Sequence, residues 1–140
     1  MNLDTFIQQK SPPNAWIEER DIEIYVRKSK RLIGDKIFLC LDIGSVEVAE
    51  KRRGQGLFRA FLHRFEEEAK KQNRVVFVES ILNNRLYKFL LANGYTHDPR
   101  SHPICPNVFK IPAWLFIVGR YNVASWIKNT RMDSAQLRNK

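Results

Sequence analysis

Between residues 21 and 28 the chain alternates. Ile22, Ile24 and Val26 fall on one side, Glu23 and Tyr25 on the other, which predicts a strand. Lys28-Ser29-Lys30-Arg31 either turns the chain or continues that strand, and Gly34-Asp35 marks a turn. Ile37–Ile43 reads as a mostly apolar strand. Gly44 then breaks the run, and Val46 and Val48 alternate with Glu47. The pattern predicts three neighbouring antiparallel strands, a β-meander. Ahead of it, Leu3–Gln9 reads as a short helix ended by the Ser-Pro-Pro break at 11–13.

After Gly56 the period becomes helical. Leu57, Phe61, Phe65 and Ala69 recur every four residues, with Phe58 and Leu62 beside them and charged residues on the other faces. Glu66/Lys70 and Glu67/Lys71 have the favourable spacing for ion pairs, and the helix ends near Gln72-Asn73. Val75–Val78 reads as a buried strand. Asn83-Asn84 opens a second helix that turns Leu86, Phe89 and Leu90 inward and closes at Asn93-Gly94. The β-α-β-α order over 45–95 implies a parallel crossover, normally right-handed. Residues 96–106 contain three prolines and read as a loop or broken strand. Val108–Lys110 reads as an edge strand, and 113–131 as a helix or a strand followed by a helix. No internal repeat is present.

Composition narrows the class. At 140 residues, 44% hydrophobic and 28% charged, the chain suits one soluble globular domain and not a disordered segment. The net charge of +9 favours a polyanionic partner: a nucleotide cofactor, nucleic acid or an acidic surface. Five acids and two bases lie in 1–26, and five bases and one acid in 111–140. Two cysteines make no disulfide framework and suit a reducing compartment. The acidic, polar N-terminus lacks the apolar core of a signal peptide. The longest apolar run, Ile111–Val118, is far short of the ~20 residues of a membrane span. The expected setting is cytoplasmic, with no membrane association.

The chemistry concentrates in Val48-Ala49-Glu50-Lys51-Arg52-Arg53-Gly54-Gln55-Gly56-Leu57-Phe58: a strand, a basic glycine turn, then the first turn of a helix. A helix N-terminus leaves four backbone N–H groups without intrahelical partners, at the positive end of the helix dipole. Glycines let the backbone approach an oxyanion, and three consecutive cations add charge. Together these residues make a phosphate site.

In this context the chain resembles the GNAT superfamily of acyl-CoA-dependent N-acyltransferases. The resemblance runs from about Val46 to Tyr95. It includes Val-x-x-x-x-Arg-Gly-x-Gly at 48–56 and Asn-x-Arg…Phe-Leu…Gly-Tyr at 83–95. It implies an α/β, GNAT-like single domain with a central mixed twisted sheet, in which an antiparallel meander precedes β-α-β-α. The short segment before the meander makes this a minimal member. The family's cofactor motif falls on Arg53, Gly54, Gln55, Gly56, Leu57 and Phe58, with Phe58 in place of a small residue. The resemblance implies that N–H groups of 54–58 hold the pyrophosphate of acetyl-CoA (coenzyme A). Lys51, Arg52 or Arg59 would meet the ribose phosphate. The pantetheine arm would lie along the strand carrying Val46 and Val48, and Asn83 matches a cofactor-contacting asparagine.

Catalytic residues are less defined. The position of the family's usual tyrosine is Leu90, and Tyr87, three residues earlier, is the candidate proton donor. The family's strand glutamate falls on Val78. Glu79 is one place on, where only a bulge would restore its face. Glu79 and Glu47 are the candidate bases, and Asp42 is a further strand carboxylate. His97, His102 and Cys105 match no tight zinc spacing, so no metal is expected. His63 reads as a surface residue and Cys40 as core.

The expected organisation is a GNAT-like acyl-CoA-binding domain over 1–111. A basic, aromatic extension over 112–140 carries Trp114, Phe116, Tyr121 and Trp126 and packs on the core or on a homodimer partner. The expected function is N-acetyl transfer from acetyl-CoA to a primary amine of a small molecule or protein. The alternatives are acetylation of aminoacyl-tRNA, favoured by the basic charge, and a non-catalytic CoA-binding regulatory module, favoured by Leu90.

Overall fold

A computed structural model of the chain describes residues 1–8 and 13–113. Its elements are α1 (Leu3–Gln8), β1 (Asn14–Glu19), β2 (Ile22–Ile33), β3 (Lys36–Val48), α2 (Leu57–Lys71), β4 (Val75–Val78), α3 (Asn84–Ala92), β5 (Thr96–His97) and β6 (Val108–Lys110). A short 3-10 turn, Glu50–Arg52, precedes α2. The strands form one mixed sheet in the order β1-β2-β3-β4-β6-β5. Only β3 and β4 are parallel neighbours.

The meander is present but divided differently from the sequence pattern. Its first strand is β1, in a stretch where the pattern predicts none. β1 and β2 join through a two-residue turn in which Arg20 and Asp21 have φ of 40° and 67°. Such hairpin turns usually use Asn-Gly, so the customary signal is missing. Tertiary contacts hold the turn instead. The Asp21 carbonyl accepts the Ala49 N–H at 2.8 Å, and its carboxylate pairs with Arg52 at 3.4 Å. Lys28–Arg31 continues β2 without turning.

Gly44 bulges β3 without ending it. Val26 pairs with Ile43 and Tyr25 with Ser45, leaving Gly44 as the extra residue. One extra residue reverses the facing of everything after it. That is why Leu41 and Ile43, then Val46 and Val48, all meet the same core. A Cβ on Gly44 would lie 3.0 Å from the Tyr25 ring, so any larger residue there would have to push that ring aside.

The two sheet faces differ. One is covered by α1, α2 and α3 through Leu3, Phe6, Phe61, Phe65 and Leu90 packed on Ile24, Val26, Ile43 and Val78. Burial of each such Leu, Ile or Phe contributes roughly 1.5–3 kcal/mol relative to exposure. The steps from β3 to β4 and from β4 to β5 move the same way across the sheet. Crossovers of one hand then place α2 and α3 on one face. The other face holds Cys40, Val75, Phe77, Phe109 and Ile111 beside a charged cluster described below.

The end of α3 follows the sequence reading. Tyr95 N–H reaches Leu90 C=O at 3.1 Å and Gly94 N–H reaches Leu91 C=O at 3.4 Å, with Gly94 at φ 92°. This is a Schellman cap. β6 is not the edge strand its sequence suggests: it inserts between β4 and β5, and two-residue β5 takes the edge. The expected pairs on α2 are also re-partnered. Lys70 and Lys71 bind Glu67 and Glu68, while Glu66 accepts from Tyr95 Oη and Lys110 Nζ, both at 3.0 Å. No helix among the described residues is long and apolar enough to cross a membrane. The proposed extension lies almost wholly outside the described residues, as do Trp114, Phe116, Tyr121 and Trp126.

Candidate functional site

The chain leaves β3 at Val48, makes the 3-10 turn, and extends again at Arg53 (φ −67°, ψ 144°). Gly54 and Gly56 then take φ of 78° and 77°, and α2 starts at Leu57. Gly56 is the N-cap, so no side chain caps the helix, and no acid lies in its first turn. The leading N–H groups therefore keep their positive potential for an outside acceptor. A Cβ on Gly54 or Gly56 would meet nothing within 4 Å. Glycine is required there by backbone angle, and the space above the loop is open. Two bonds set the loop: Arg53 Nε to Val48 C=O and Gln55 Nε2 to Lys51 C=O, both at 3.3 Å. Phe58, the departure from a small residue, packs against the core with Leu57, so its ring is not spent on the loop's outer surface.

This loop sits beside a split in the sheet. Parallel pairing of β3 and β4 ends at Ile43 and Val78, with a last bond from Glu79 N–H to Ile43 C=O at 2.9 Å. Beyond it the chain turns away. Ser80 has φ 50° and bonds Asn107 Oδ1 at 2.7 Å, and Ile81 N–H bonds Pro106 C=O at 2.9 Å. The edge of β3 from Gly44 to Val48 thus faces a gap instead of a strand among the described residues. Val46 and Val48 line it on the helix-bearing face, half-buried. A gap at the C-terminal ends of parallel strands, beside a helix N-terminus, is where α/β sheets bind ligands.

Asn83 follows the gap's other wall and caps α3. Its Oδ1 accepts from Arg85 N–H at 2.9 Å and Leu86 N–H at 3.2 Å, leaving the amide NH2 for other contacts. A groove of about 460 Å³ runs between α2 and α3 from Gly56 past Arg59, His63 and Phe89 to Lys110. Arg59 stacks its guanidinium over Phe89 at 5.1 Å. His63 is exposed at its rim.

The three catalytic candidates do not converge. Tyr87 Oη bonds His97 Nδ1 at 3.0 Å, over the edge strand β5, with two strands between it and β3. A hydroxyl so placed does not reach the β3–β4 gap, and Leu90 is buried in the core. Burial lowers the pKa of His97, with Asp98 opposing, so the ring favours its neutral form. Glu79 lies on the face opposite the helices. β4 has no bulge to turn it back, and its carboxylate is ion-paired with both Arg27 and Arg31. Glu47 lies exposed on that same face, directly across from Glu23.

Reading by motif missed the arginines. Arg27, Ser29 and Arg31 alternate along β2 and face Asp42 across the pair, a period-two signal that was legible. Asp42, fully buried, accepts from Ser29 Oγ at 2.8 Å, Arg31 Nη2 at 2.9 Å and Arg27 Nε at 3.3 Å. Cys40 beside it is buried, and burial with the Asp42 charge pushes its thiol up to about 12. Among the described residues no three His, Cys, Asp or Glu side chains gather as a metal site.

No protein-family model matches the chain, and no curated protein matches it. Solved structures do. A tyrosine-to-phenylalanine variant of the toxin AtaT, bound to the C-terminus of the antitoxin AtaR and acetyl-CoA, aligns at TM-score 0.51 and 14% identity over 71% of this chain. The same variant bound to the AtaR C-terminus aligns at TM-score 0.52 with the same identity and coverage. The KacTA–DNA complex aligns at TM-score 0.49 and 16% identity over 80% of this chain. The chain spans 64% of the length of each of these three chains. The fold of the described residues is GNAT-like, a mixed α/β domain with a six-stranded sheet and three helices.

Proposed function

We propose that this chain is an acetyl-CoA-dependent N-acetyltransferase acting on a primary amine. One observation carries the reading: an uncapped helix N-terminus behind two positive-φ glycines opens beside the split between β3 and β4. That pairing suits a ligand with a pyrophosphate at one end and an amide-bearing arm at the other. A fold neighbour seen with acetyl-CoA supports the choice.

The loop N–H groups of 54–58 would hold the pyrophosphate, helped by Arg53 and Lys51 as nearby charge. The open edge of β3 at Val46 and Val48 would pair with the arm's amides as with an added strand. The groove past Arg59 and Phe89 offers a stacking cation and a ring to the nucleotide. When bound, acetyl-CoA supplies an acyl group activated as a thioester. The chain's part is to fix that carbonyl beside the acceptor and direct backbone N–H groups at it. Glu47 is the more available proton acceptor, because Glu79 is committed to two arginines. Water serves as the proton donor to the departing thiolate in this reading, since Tyr87 is turned to His97.

CoA release from acetyl-CoA, followed by chromatography, tests the proposal. The panel contains small amines, peptides with free N-termini and aminoacyl-tRNA. Amine-dependent release supports acetyl transfer, and its amine preference separates the tRNA reading from the others. Saturable CoA binding with no release across the panel would favour the second reading, a CoA-binding module without catalysis, which the burial of Leu90 and the engagement of Tyr87 motivate.

A further inference from the structure

The face of the sheet opposite the helices carries a charge cluster that the reaction above leaves unused. It contains two guanidinium groups, Arg27 and Arg31, and two carboxylates, Asp42 and Glu79. The two carboxylates are not equivalent. Asp42 is fully buried and holds both arginines from behind, with Ser29 completing its bonding. Glu79 is one-fifth exposed and lies at the apex of the β3–β4 gap. Both Nη2 atoms converge on one oxygen of Glu79, Oε1.

We propose that Arg27 and Arg31 form a docking fork for an oxyanion on the acceptor, a carboxylate or a phosphate, and that Glu79 fills the fork until the acceptor arrives. The proposal rests on the acyl-transfer reading and names the acceptor class within it: a primary amine that also carries an oxyanion. The arginines do not need Glu79 to stay in place. Asp42 anchors both, and Arg31 lies over the Phe77 ring at 4.0 Å, which fixes its plane. Asp42 balances one of the two positive charges, so displacing Glu79 leaves a fork with one net positive charge, matched to one oxyanion. Exchange conserves charge-assisted bonds and returns Glu79 to water, so its free-energy change is small. It also frees a carboxylate at the gap where the acceptor's amine must arrive. Both arginines keep about a quarter to a third of their side-chain surface open to solvent, so an acceptor can reach them.

Side-chain ¹⁵N NMR of the arginine Nε groups tests this on CoA-saturated protein, so that the glycine loop is already filled. Inorganic phosphate and acetate are titrated separately into wild type and Glu79→Gln, a near-isosteric change that replaces the competing carboxylate with a neutral, weaker acceptor. The expected result is a saturable shift of the Arg27 and Arg31 signals, with affinity about tenfold higher in Glu79→Gln. Signals that move for neither anion in Glu79→Gln, or equal affinities in the two proteins, would overturn the fork. CoA binding is measured on the same samples by calorimetry. Its failure would overturn the acyl-transfer reading alone, because the arginine signals report without it. In turnover, O-phosphoethanolamine and β-alanine are compared with ethanolamine, and the better of the two identifies phosphate or carboxylate. A KM advantage of about tenfold over ethanolamine that closes in Arg31→Lys supports the fork, and equal KM values contradict it. Arg31→Lys retains a second cation for buried Asp42, whereas Arg31→Ala leaves it only Arg27 and Ser29.

Discussion

Single side chains show how strongly position governs chemistry here. Cys40 and Cys105 are the chain's two thiols, but burial and the Asp42 charge push the Cys40 thiol up to about 12. At pH 8 a thiol reagent should label Cys105 quickly and Cys40 only on unfolding, as mass spectrometry of the labelled peptides would show. Rapid native labelling of Cys40 would contradict the packing of the second face. His97 gives a pH prediction of definite sign. Its folded pKa lies below the ordinary 6.5, so the unfolded chain takes the proton first as pH falls. The stability His97 contributes is present above about 6.5 and is lost as pH falls toward its folded pKa. The urea midpoint should decline over that window in wild type and less steeply in His97→Phe.

Elements reveal which local signals sufficed. The helices were legible because apolar spacing and cap residues agree: Phe61, Phe65 and Ala69 on α2, and Asn83 and Gly94 at the ends of α3. Asn83 is also a candidate cofactor contact, and substitution separates the two roles. Asn83→Ala should cost about 1 kcal/mol in denaturant unfolding through loss of the cap. Asn83→Asp should restore that stability while weakening acetyl-CoA binding, because the side-chain NH2 is gone. Equal acetyl-CoA affinity in Asn83→Asp would confine Asn83 to capping. β1 and the place of β6 were not legible. β1 depends on a turn of Arg20 and Asp21 held by Ala49 and Arg52, and β6 is placed by partners distant in sequence. The division of the meander turned on Gly44. The shift of apolar positions from odd to even numbers around it is the mark of a bulge inside one strand.

At the scale of the whole molecule, the sheet brings two kinds of group to one gap. The helix-bearing face and the glycine loop present backbone N–H groups, and the opposite face presents arginines. The loop was legible because strand, glycines and helix are contiguous in sequence. The arginine cluster joins residues of β2 and β3 with Glu79, just past the end of β4, and carries no contiguous motif. The net charge of +9 adds long-range attraction for an anionic ligand, so the association rate of acetyl-CoA should fall as salt rises from 50 to about 300 mM in stopped-flow experiments. The central claim is that the loop at Gly54–Phe58 receives the pyrophosphate of acetyl-CoA. Isothermal titration of acetyl-CoA into wild type and Gly56→Arg, with circular dichroism confirming that both are folded, tests it most directly. The account predicts saturable binding to wild type and none to the variant, whose side chain would occupy the open space over the loop. Undetectable binding to wild type, or undiminished affinity in a folded Gly56→Arg protein, would contradict it.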